Sequence, residues 1–149
     1  MRRQTLAAAS LLLLTACASA PMAVPERDSQ AKQFAPAAGK AVVYIYRNEN
    51  FGGAVKIPIS VNSRLIGDTV ANSYFRLVLD PGSYAIQCKA EKDSALTVQA
   101  EAGKVYFVWQ EMKMGMWAAG CSMHLASDEE GRKAVLECKL LDAPESLPN

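Results

Sequence analysis

The sequence predicts a mainly β protein, an antiparallel β-sandwich with one C-terminal α-helix packed on it. Two patterns indicate this fold. Between residues 41 and 109, short runs of apolar and polar residues alternate and are separated by brief turns rich in Asn, Pro and Gly. After residue 126 the apolar residues recur at helical spacing instead. Seven or eight such strands are typical of a sandwich or a small barrel.

Three features of the strands carry specific expectations. Residues 41–47 are apolar on both alternating faces, which predicts a central strand covered on both sides. Pro58 cannot donate a backbone hydrogen bond, so its strand is expected at an edge or with a bulge. Residues 80–82 predict a hairpin turn with Gly82 at positive φ. In the strand that follows, Cys88 lies on the apolar face.

The C-terminal helix has a clear start signal. Ser127 precedes Glu130 by three residues, which is a capping box, and Asp128 and Glu129 place two more acids in the first turn. The apolar stripe expected to face the sheet comprises Gly131, Ala134, Val135, Cys138 and Leu141.

Composition excludes several classes of function. The chain has 149 residues, enough for one domain with a sizeable core, and its formal net charge is +1. Removing a signal segment that carries Arg2 and Arg3 leaves 14 basic and 15 acidic residues. A nucleic-acid partner needs a basic surface and is therefore not expected. Paired carboxylates, phosphate loops and nucleophile elbows do not stand out, so we expect no enzyme and no cofactor.

The N-terminus resembles a bacterial lipoprotein signal. A basic start is followed by an apolar run at residues 6–14, too short for the roughly 20 residues of a membrane-spanning helix. The run ends in Leu14, Thr15, Ala16 and Cys17, which resembles the lipobox. The resemblance implies that Cys17 becomes the lipid-modified first residue. A soluble secreted protein cleaved near residues 18–20 is the alternative.

The same analogy gives a location and a domain organisation. Ala18 follows the cysteine where retention in the inner membrane favours aspartate, so the inner leaflet of the outer membrane, facing the periplasm, is the expected site. Residues 1–16 are then the signal peptide, and residues 17–39, rich in Ala and Pro, a flexible tether with a reach of ~25 Å. Residues 40–141 form the domain, and residues 142–149 a disordered tail.

The three remaining cysteines suggest a disulfide in an oxidising compartment. A strand of about 17 Å leads forward from Cys121, and a helix of about 15 Å returns to Cys138. This geometry predicts a bond between Cys121 and Cys138, with Cys88 as a buried free thiol. The alternative is three reduced cysteines in the core.

A methionine-rich stretch at residues 112–124 suggests a soft-metal site. Met112, Met114 and Met116 share one face of an extended chain, and His124 follows closely. Thioether and imidazole donors suit Cu(I). The alternative is that these methionines fill the core.

A catalytic set of Cys121, His124 and Asp128 is not expected. Cys121 and His124 lie three residues apart on a strand and therefore point to opposite faces. Aromatic residues that could bind a partner from an exposed position are Tyr44, Tyr46, Phe51, Tyr74 and Trp117. The alternative, expected for most of them, is packing in the core or at half-buried positions.

Several segments together resemble a known family, the bacterial lipoproteins that carry domain of unknown function 2846. The resemblance rests on the lipobox, the strand at residues 43–47, the motif at residues 79–84, the strand at 103–107 and the helix at 129–133. It covers about residues 40–140. The motif at 79–84 is also similar to turns of surface-layer and transthyretin-like sandwiches, and the expected arrangement is transthyretin- or immunoglobulin-like. No activity is established for the family, so the resemblance implies fold and location.

These observations predict a lipid-anchored, non-enzymatic binding or scaffolding module of the cell envelope. Its expected partners are the membrane, through the N-terminal lipid, and an envelope protein or glycan. The sequence leaves the oligomeric state open. The alternative function is periplasmic copper binding by the stretch at residues 112–124.

Overall fold

A computed structural model describes residues 20–51, 53 and 55–147. Within these residues there are two α-helices and nine β-strands. The helices are α1 (Pro25–Ala31) and α2 (Asp128–Leu136). The strands are β1 (Ala41–Arg47), β2 (Ile57–Val61), β3 (Arg64–Thr69), β4 (Ser73–Leu79), β5 (Gly82–Cys88), β6 (Ser94–Ala100), β7 (Val105–Met114), β8 (Ala119–Ala126) and β9 (Lys139–Leu140).

The strands form two sheets that pack face to face, which confirms the predicted sandwich. One sheet has the order β8-β7-β1-β4-β9 and the other the order β3-β2-β5-β6. Two neighbouring pairs, β1 with β7 and β4 with β9, run parallel. These two pairs depart from the antiparallel arrangement predicted from the sequence. The core between the sheets is built from the inward-facing apolar residues of both, among them Val43, Ile45, Ile59, Leu77, Ile86 and Val108.

A second core covers the outer face of the five-stranded sheet. Alternation along β1 sends Val43 into the core between the sheets, while Tyr44 and Tyr46 point outward beneath the helices. The Tyr44 ring stacks on Phe107 with centroids 5.2 Å apart, and Phe34 meets Tyr44 edge-on at 5.4 Å. Strand β1 is therefore central and covered on both sides, as predicted.

Helix α2 begins at the predicted capping box. The Ser127 side chain accepts the backbone N–H of Glu130, and the Glu130 side chain accepts the backbone N–H of Ser127. The helix ends at Leu136, before the end of the predicted stripe, because the chain then pairs with β4 as strand β9. Gly131 lets the helix approach the sheet closely, since a Cβ there would overlap the Phe107 ring.

The prediction of a hairpin at residues 80–82 is wrong. Strand β4 belongs to the five-stranded sheet and β5 to the four-stranded sheet, so the turn is a crossover between sheets. Gly82 begins β5, and its φ is not among the positive values. The hairpin signal lies instead at Asn62 and Ser63, both at positive φ, which join β2 to β3.

Pro58 lies in an interior strand rather than at a sheet edge. Strand β2 has β3 on one side and β5 on the other. Pro58 falls just outside the register with β5, where its carbonyl accepts the N–H of Lys89. The pairing with β3 shifts register between Ile59 and Ser60, so the irregularity expected of a strand proline lies close to it.

The prediction of a flexible tether is wrong for residues 20–39. Helix α1 lies against the domain, with Ala31 and Phe34 buried in the outer core. The predicted disordered tail at residues 142–149 is also held in the part that the structure describes, because Val78 donates its N–H to the Glu145 carbonyl. Sequence reasoning missed both contacts because α1 is short and its burial depends on other elements of the fold, among them Tyr74, Phe107 and Leu140.

Within the described part of the chain, neither helix has the length and apolar character needed to cross a membrane. The proposed signal peptide and Cys17 lie outside the described residues.

Candidate functional site

The β7–β8 hairpin extends past the rest of its sheet. Pairing between β1 and β7 ends at Tyr46 and Trp109, whereas β7 continues to Met114 and pairs there with Ala119 of β8. The five residues beyond Trp109 add about 16 Å of strand. One end of the sandwich therefore carries a two-stranded projection.

The two faces of this hairpin have different chemistry. Met112, Cys121 and Met123 point inward and are buried in the core between the sheets. Glu111 and His124 point to the outer face, where His124 Nε2 lies 2.9 Å from Glu111 Oε2. This division follows from the period of two along each strand.

A disulfide joins the hairpin to the opposite sheet. Cys121 of β8 is bonded to Cys88 of β5, with their Cα atoms 6.4 Å apart. The predicted pair, Cys121 with Cys138, is wrong because α2 returns over the outer face of the sheet while Cys121 points inward. Cys138 is a buried free cysteine instead; burial raises the pKa of its thiol to about 12.

A buried arginine holds the base of the hairpin. Arg47, fully buried at the end of β1, donates to the carbonyls of Val55 and Phe51 at 2.8 and 3.4 Å and to Met112 Sδ at 3.0 Å. Its Nε lies 3.5 Å from Glu49 Oε2. Burial lowers the pKa of Arg47 and raises that of Glu49, and their mutual attraction opposes both shifts.

Further bonds fix the hairpin on both sides. On one side the N–H of Met112 donates to Glu49 Oε1 at 2.9 Å. On the other, Glu91 donates its N–H to the carbonyl of Ala119 at 3.1 Å, and Met123 donates to Ser94 Oγ at 3.1 Å. Together with the disulfide, these contacts make the projection a preorganised element rather than a loose loop.

The end of this held projection and the adjoining loop after β1 are apolar and exposed. Phe51 is 47 % exposed, Met114 79 %, Met116 88 % and Trp117 88 %. We call these four residues the tip surface. They line a groove of about 370 Å³ together with Val55 and Met112. A contiguous exposed apolar patch is typical of an interaction site, and Met, Trp and Phe are enriched in protein interfaces.

The sequence of this chain matches a known protein family. Residues 37–121 match the family described as "Protein of unknown function (DUF2846)". The chain belongs to that family. An uncharacterized protein of Haemophilus influenzae strain Rd is 36 % identical over 126 residues, which cover 83 % of this chain and 75 % of the relative. No solved structure matches the chain.

The family match covers the tip surface. The matched residues of this DUF2846 protein run from before β1 to Cys121, so they include both cysteines of the disulfide and the whole tip surface. Helix α2 lies outside the match. Neither the family description nor the relative names an enzymatic activity.

The structure brings some of the predicted metal ligands together and separates others. Met112, Met114 and Met116 line the same groove at the tip. His124 lies on the opposite face of the hairpin against Glu111, and the Met112 sulfur accepts a hydrogen bond from Arg47. Within residues 20–51, 53 and 55–147, no three His, Cys, Asp or Glu side chains are grouped as metal ligands.

An activated-thiol site is not formed in this DUF2846 domain. Cys121 is oxidised and faces the core, while His124 faces outward, as the strand period predicts. Of the aromatic residues suggested for partner binding, Tyr44, Tyr46 and Tyr74 are buried, whereas Phe51 and Trp117 are exposed.

Sequence reasoning missed an open groove of about 600 Å³ between α2 and the outer face of β7 and β8. Tyr46, Trp109, His124, Glu130 and Lys133 contribute to its lining. Burial raises the pKa of Tyr46 to about 12. Glu130 is engaged in the capping box and His124 in its contact with Glu111, so these groups already serve the fold. The alternation along β7 could have predicted this groove, because it puts Trp109 on the outer face.

Proposed function

We propose that this protein is a lipid-anchored envelope module that binds an apolar segment of a partner protein through its tip surface and catalyses no reaction. Cys17 carries the lipid, and the domain faces the periplasm from the inner leaflet of the outer membrane. The observation that carries the proposal is the exposure of Met114, Met116 and Trp117 on a hairpin that is otherwise firmly held.

A preorganised tip binds a partner at a lower entropic cost. Binding loses affinity when it must order flexible side chains and loops, by about 0.5–1.5 kcal/mol for each rotamer-rich side chain. Here the hairpin that carries the tip is fixed by the Cys88–Cys121 bond and the Arg47 contacts before any partner arrives. Burial of Trp117 and the two exposed methionines then contributes directly to affinity.

The chemistry of the groove favours a protein over a glycan. Its lining consists of thioether, aromatic and small aliphatic side chains. Sugars are bound by aromatic rings combined with convergent polar groups, and among the described residues that line the tip groove none has a charged or amide side chain. An apolar stretch of polypeptide matches this surface.

Site-specific photo-crosslinking tests the proposal. A photoreactive phenylalanine analogue at position 116 of the full-length chain in cells should yield a discrete adduct with an envelope protein. Trp117→Ser should abolish the adduct, because it removes the largest apolar group of the tip. Binding of the purified partner should weaken by at least about tenfold, as expected for a buried Trp at an interface.

Matched controls use exposed leucines elsewhere on the domain. Leu65 is 64 % exposed on β3 and Leu136 is 57 % exposed on α2. Leu65→Ser should leave the adduct unchanged, and the photoreactive group at position 136 should not reproduce it. Adducts that survive Trp117→Ser, or that form equally from position 136, contradict a specific tip.

Copper binding is a second candidate, favoured by one observation. Three thioethers, those of Met112, Met114 and Met116, line one groove, and such donors suit Cu(I). The positive guanidinium of Arg47 at 3.0 Å from the Met112 sulfur works against a metal cation at that sulfur.

A leucine replacement separates the two candidates. Met114→Leu combined with Met116→Leu keeps the apolar surface and removes two thioethers. If the protein binds copper, Cu(I) affinity measured against a competing chelator falls in this variant. If the tip binds a protein, a photoreactive group placed at position 51 of this variant still yields an adduct. Loss of the adduct without a change in Cu(I) affinity would mean that partner binding needs the flexible methionine side chains.

A further inference from the structure

The N-terminal segment of the described chain is fixed to one edge of the sandwich. Ala20 is buried in the core between the sheets. Met22 forms a bridge with Leu141, and Asp142 donates its N–H to the carbonyl of Pro21 at 2.9 Å. The chain is therefore held against the β9 edge from residue 20 onward.

Helix α1 is bound to the same edge by polar contacts. One oxygen of Asp28, Oδ1, accepts the Tyr74 hydroxyl at 2.8 Å and the N–H of Leu140 at 2.9 Å. The Tyr44 hydroxyl donates to the carbonyl of Ala31 at 2.6 Å, and Lys32 Nζ donates to the carbonyl of Cys138 at 2.7 Å. Residues 20–32 are thus part of the domain and supply no slack to an anchor.

The length of chain before this segment sets the distance to the lipid. Three residue steps separate Cys17 from Ala20, and a fully extended chain covers at most ~11 Å in three steps. A free tether over residues 17–39 would instead reach ~25 Å. A lipid on Cys17 therefore keeps the β9 edge close to the headgroups.

From this geometry we propose that the β9 edge rests on the bilayer surface and that the tip surface faces away from it. This inference rests on the anchoring part of the proposed function. Strands β9 and β8 are opposite edges of a five-stranded sheet, so the hairpin lies about 19 Å from the anchored edge across four strand spacings. The tip is thereby presented to the periplasm.

The exposed side chains beside the anchored residues suit a position at a bilayer interface. Met22 is 39 % exposed and Val24 57 % exposed beside the anchored residues, so the edge offers apolar side chains to the interface. Lys139 and Asp142 are exposed at the same edge. The apolar side chains can enter the bilayer interface there, while these charged groups stay among the lipid headgroups.

Tryptophan quenching on vesicles tests the orientation. The chain from Cys17 onward keeps every contact described above, which all lie within residues 20–147. Its Cys17 can be coupled to a maleimide lipid in phosphatidylcholine vesicles with brominated acyl chains. Cys138 does not compete because it is buried, and Cys88 and Cys121 are bonded to each other.

Two variants report the two ends of the domain. Trp109→Phe leaves Trp117 as the probe of the tip. Trp109→Phe with Trp117→Phe and Val24→Trp places the probe at the β9 edge, at an exposed position whose side chain makes no cap bond. We expect the edge probe to be quenched several-fold more strongly than Trp117. Equal quenching, stronger quenching of Trp117, or no quenching of either probe overturns the orientation.

A linker variant tests the role of the short connection. Insertion of about ten Gly and Ser residues between Ser19 and Ala20 adds a flexible reach. It should reduce the quenching of the edge probe, and unchanged quenching contradicts a distance set by the connection. The full chain purified from membranes should reproduce the pattern. Absence of lipid on Cys17 in cells would refute the anchoring proposal, while the chemically coupled chain still decides the orientation.

Discussion

The carboxylate of Asp28 joins one short helix to two strands. It accepts hydrogen bonds from Lys32, Tyr74 and the Leu140 N–H. Burial alone would raise the pKa of Asp28, but these hydrogen bonds outweigh burial and lower it. A lowered folded-state pKa means that the charged form stabilises the folded state. This stabilisation is present above the unfolded-state value and is lost as the pH falls through the folded-state value.

Asp28→Asn should therefore lower the free energy of unfolding at neutral pH by about 1–3 kcal/mol, because an amide replaces a charged acceptor of three hydrogen bonds. The difference from the wild type should shrink when the pH is lowered below about 4. Urea midpoints at pH 7 and under acid conditions measure both effects. A difference that is constant with pH would show that the charge of Asp28 makes no contribution.

Arg47 is the second residue on which the site depends, because it contacts both the loop after β1 and the β7–β8 hairpin. Arg47→Met should cost about 3–5 kcal/mol, since it leaves Glu49 buried without its cation. Adding Glu49→Gln should recover part of this loss, because the uncompensated charge is then removed. Chemical denaturation of the wild type, the single variant and the double variant measures the loss and the recovery. A double variant as unstable as the single one would place the whole effect in the lost carbonyl and sulfur contacts.

At the scale of elements, α2 depends on a close approach to β7. An alanine normally stabilises a helix interior relative to glycine by about 1 kcal/mol. At position 131 the added methyl would overlap the Phe107 ring, which stacks on Tyr44 in the outer core. The steric effect exceeds the propensity gain, because a core this densely packed resists an added methyl by about 1–3 kcal/mol.

Gly131→Ala is therefore expected to lower the thermal midpoint, in opposition to helix propensity. Lys133→Ala, on the exposed side of the same helix, is the matched control and should change the midpoint little. Differential scanning calorimetry of the two variants measures the effect. A higher midpoint for Gly131→Ala would mean that the helix shifts outward at little cost.

The second element-scale device is the bond between β5 and β8. Cys88 and Cys121 are 33 residues apart, and the chain-entropy relation gives about 4 kcal/mol for a closed loop of this size. Mass spectrometry of non-reduced peptides should find this linkage and a free Cys138. Cys88→Ala with Cys121→Ala should destabilise the domain and weaken binding at the tip. A Cys121–Cys138 peptide would contradict the assignment.

At the scale of the whole molecule, the anchor and the tip lie at opposite edges. Cys17→Ser should release the protein from the membrane fraction or leave an uncleaved precursor, because lipid attachment requires the thiol. Ala18→Asp is the control: it keeps the anchor and should move the protein toward the inner membrane. Membrane association of normally cleaved Cys17→Ser protein would contradict the lipobox. Fractionation with antibody detection distinguishes these outcomes.

Local patterns in the sequence were sufficient for the elements themselves. The short apolar runs at residues 41–47 and 105–109, and the capping box at Ser127, predict strands and a helix that the structure confirms. The same alternation correctly puts Cys121 and His124 on opposite faces. Such signals are readable because they depend on neighbours within a few residues.

The partners of these elements emerge from the folded chain alone. Residues 80–82 have the composition of a hairpin turn, yet they carry the chain from one sheet to the other. Cys121 pairs with Cys88 rather than Cys138, and residues 20–34 dock on strands β4 and β9 instead of forming a tether. These outcomes depend on burial shared between distant segments, where several pairings satisfy the same local pattern. Packing of the two sheets and of the helices above them selects among those pairings, and it leaves the tip surface exposed.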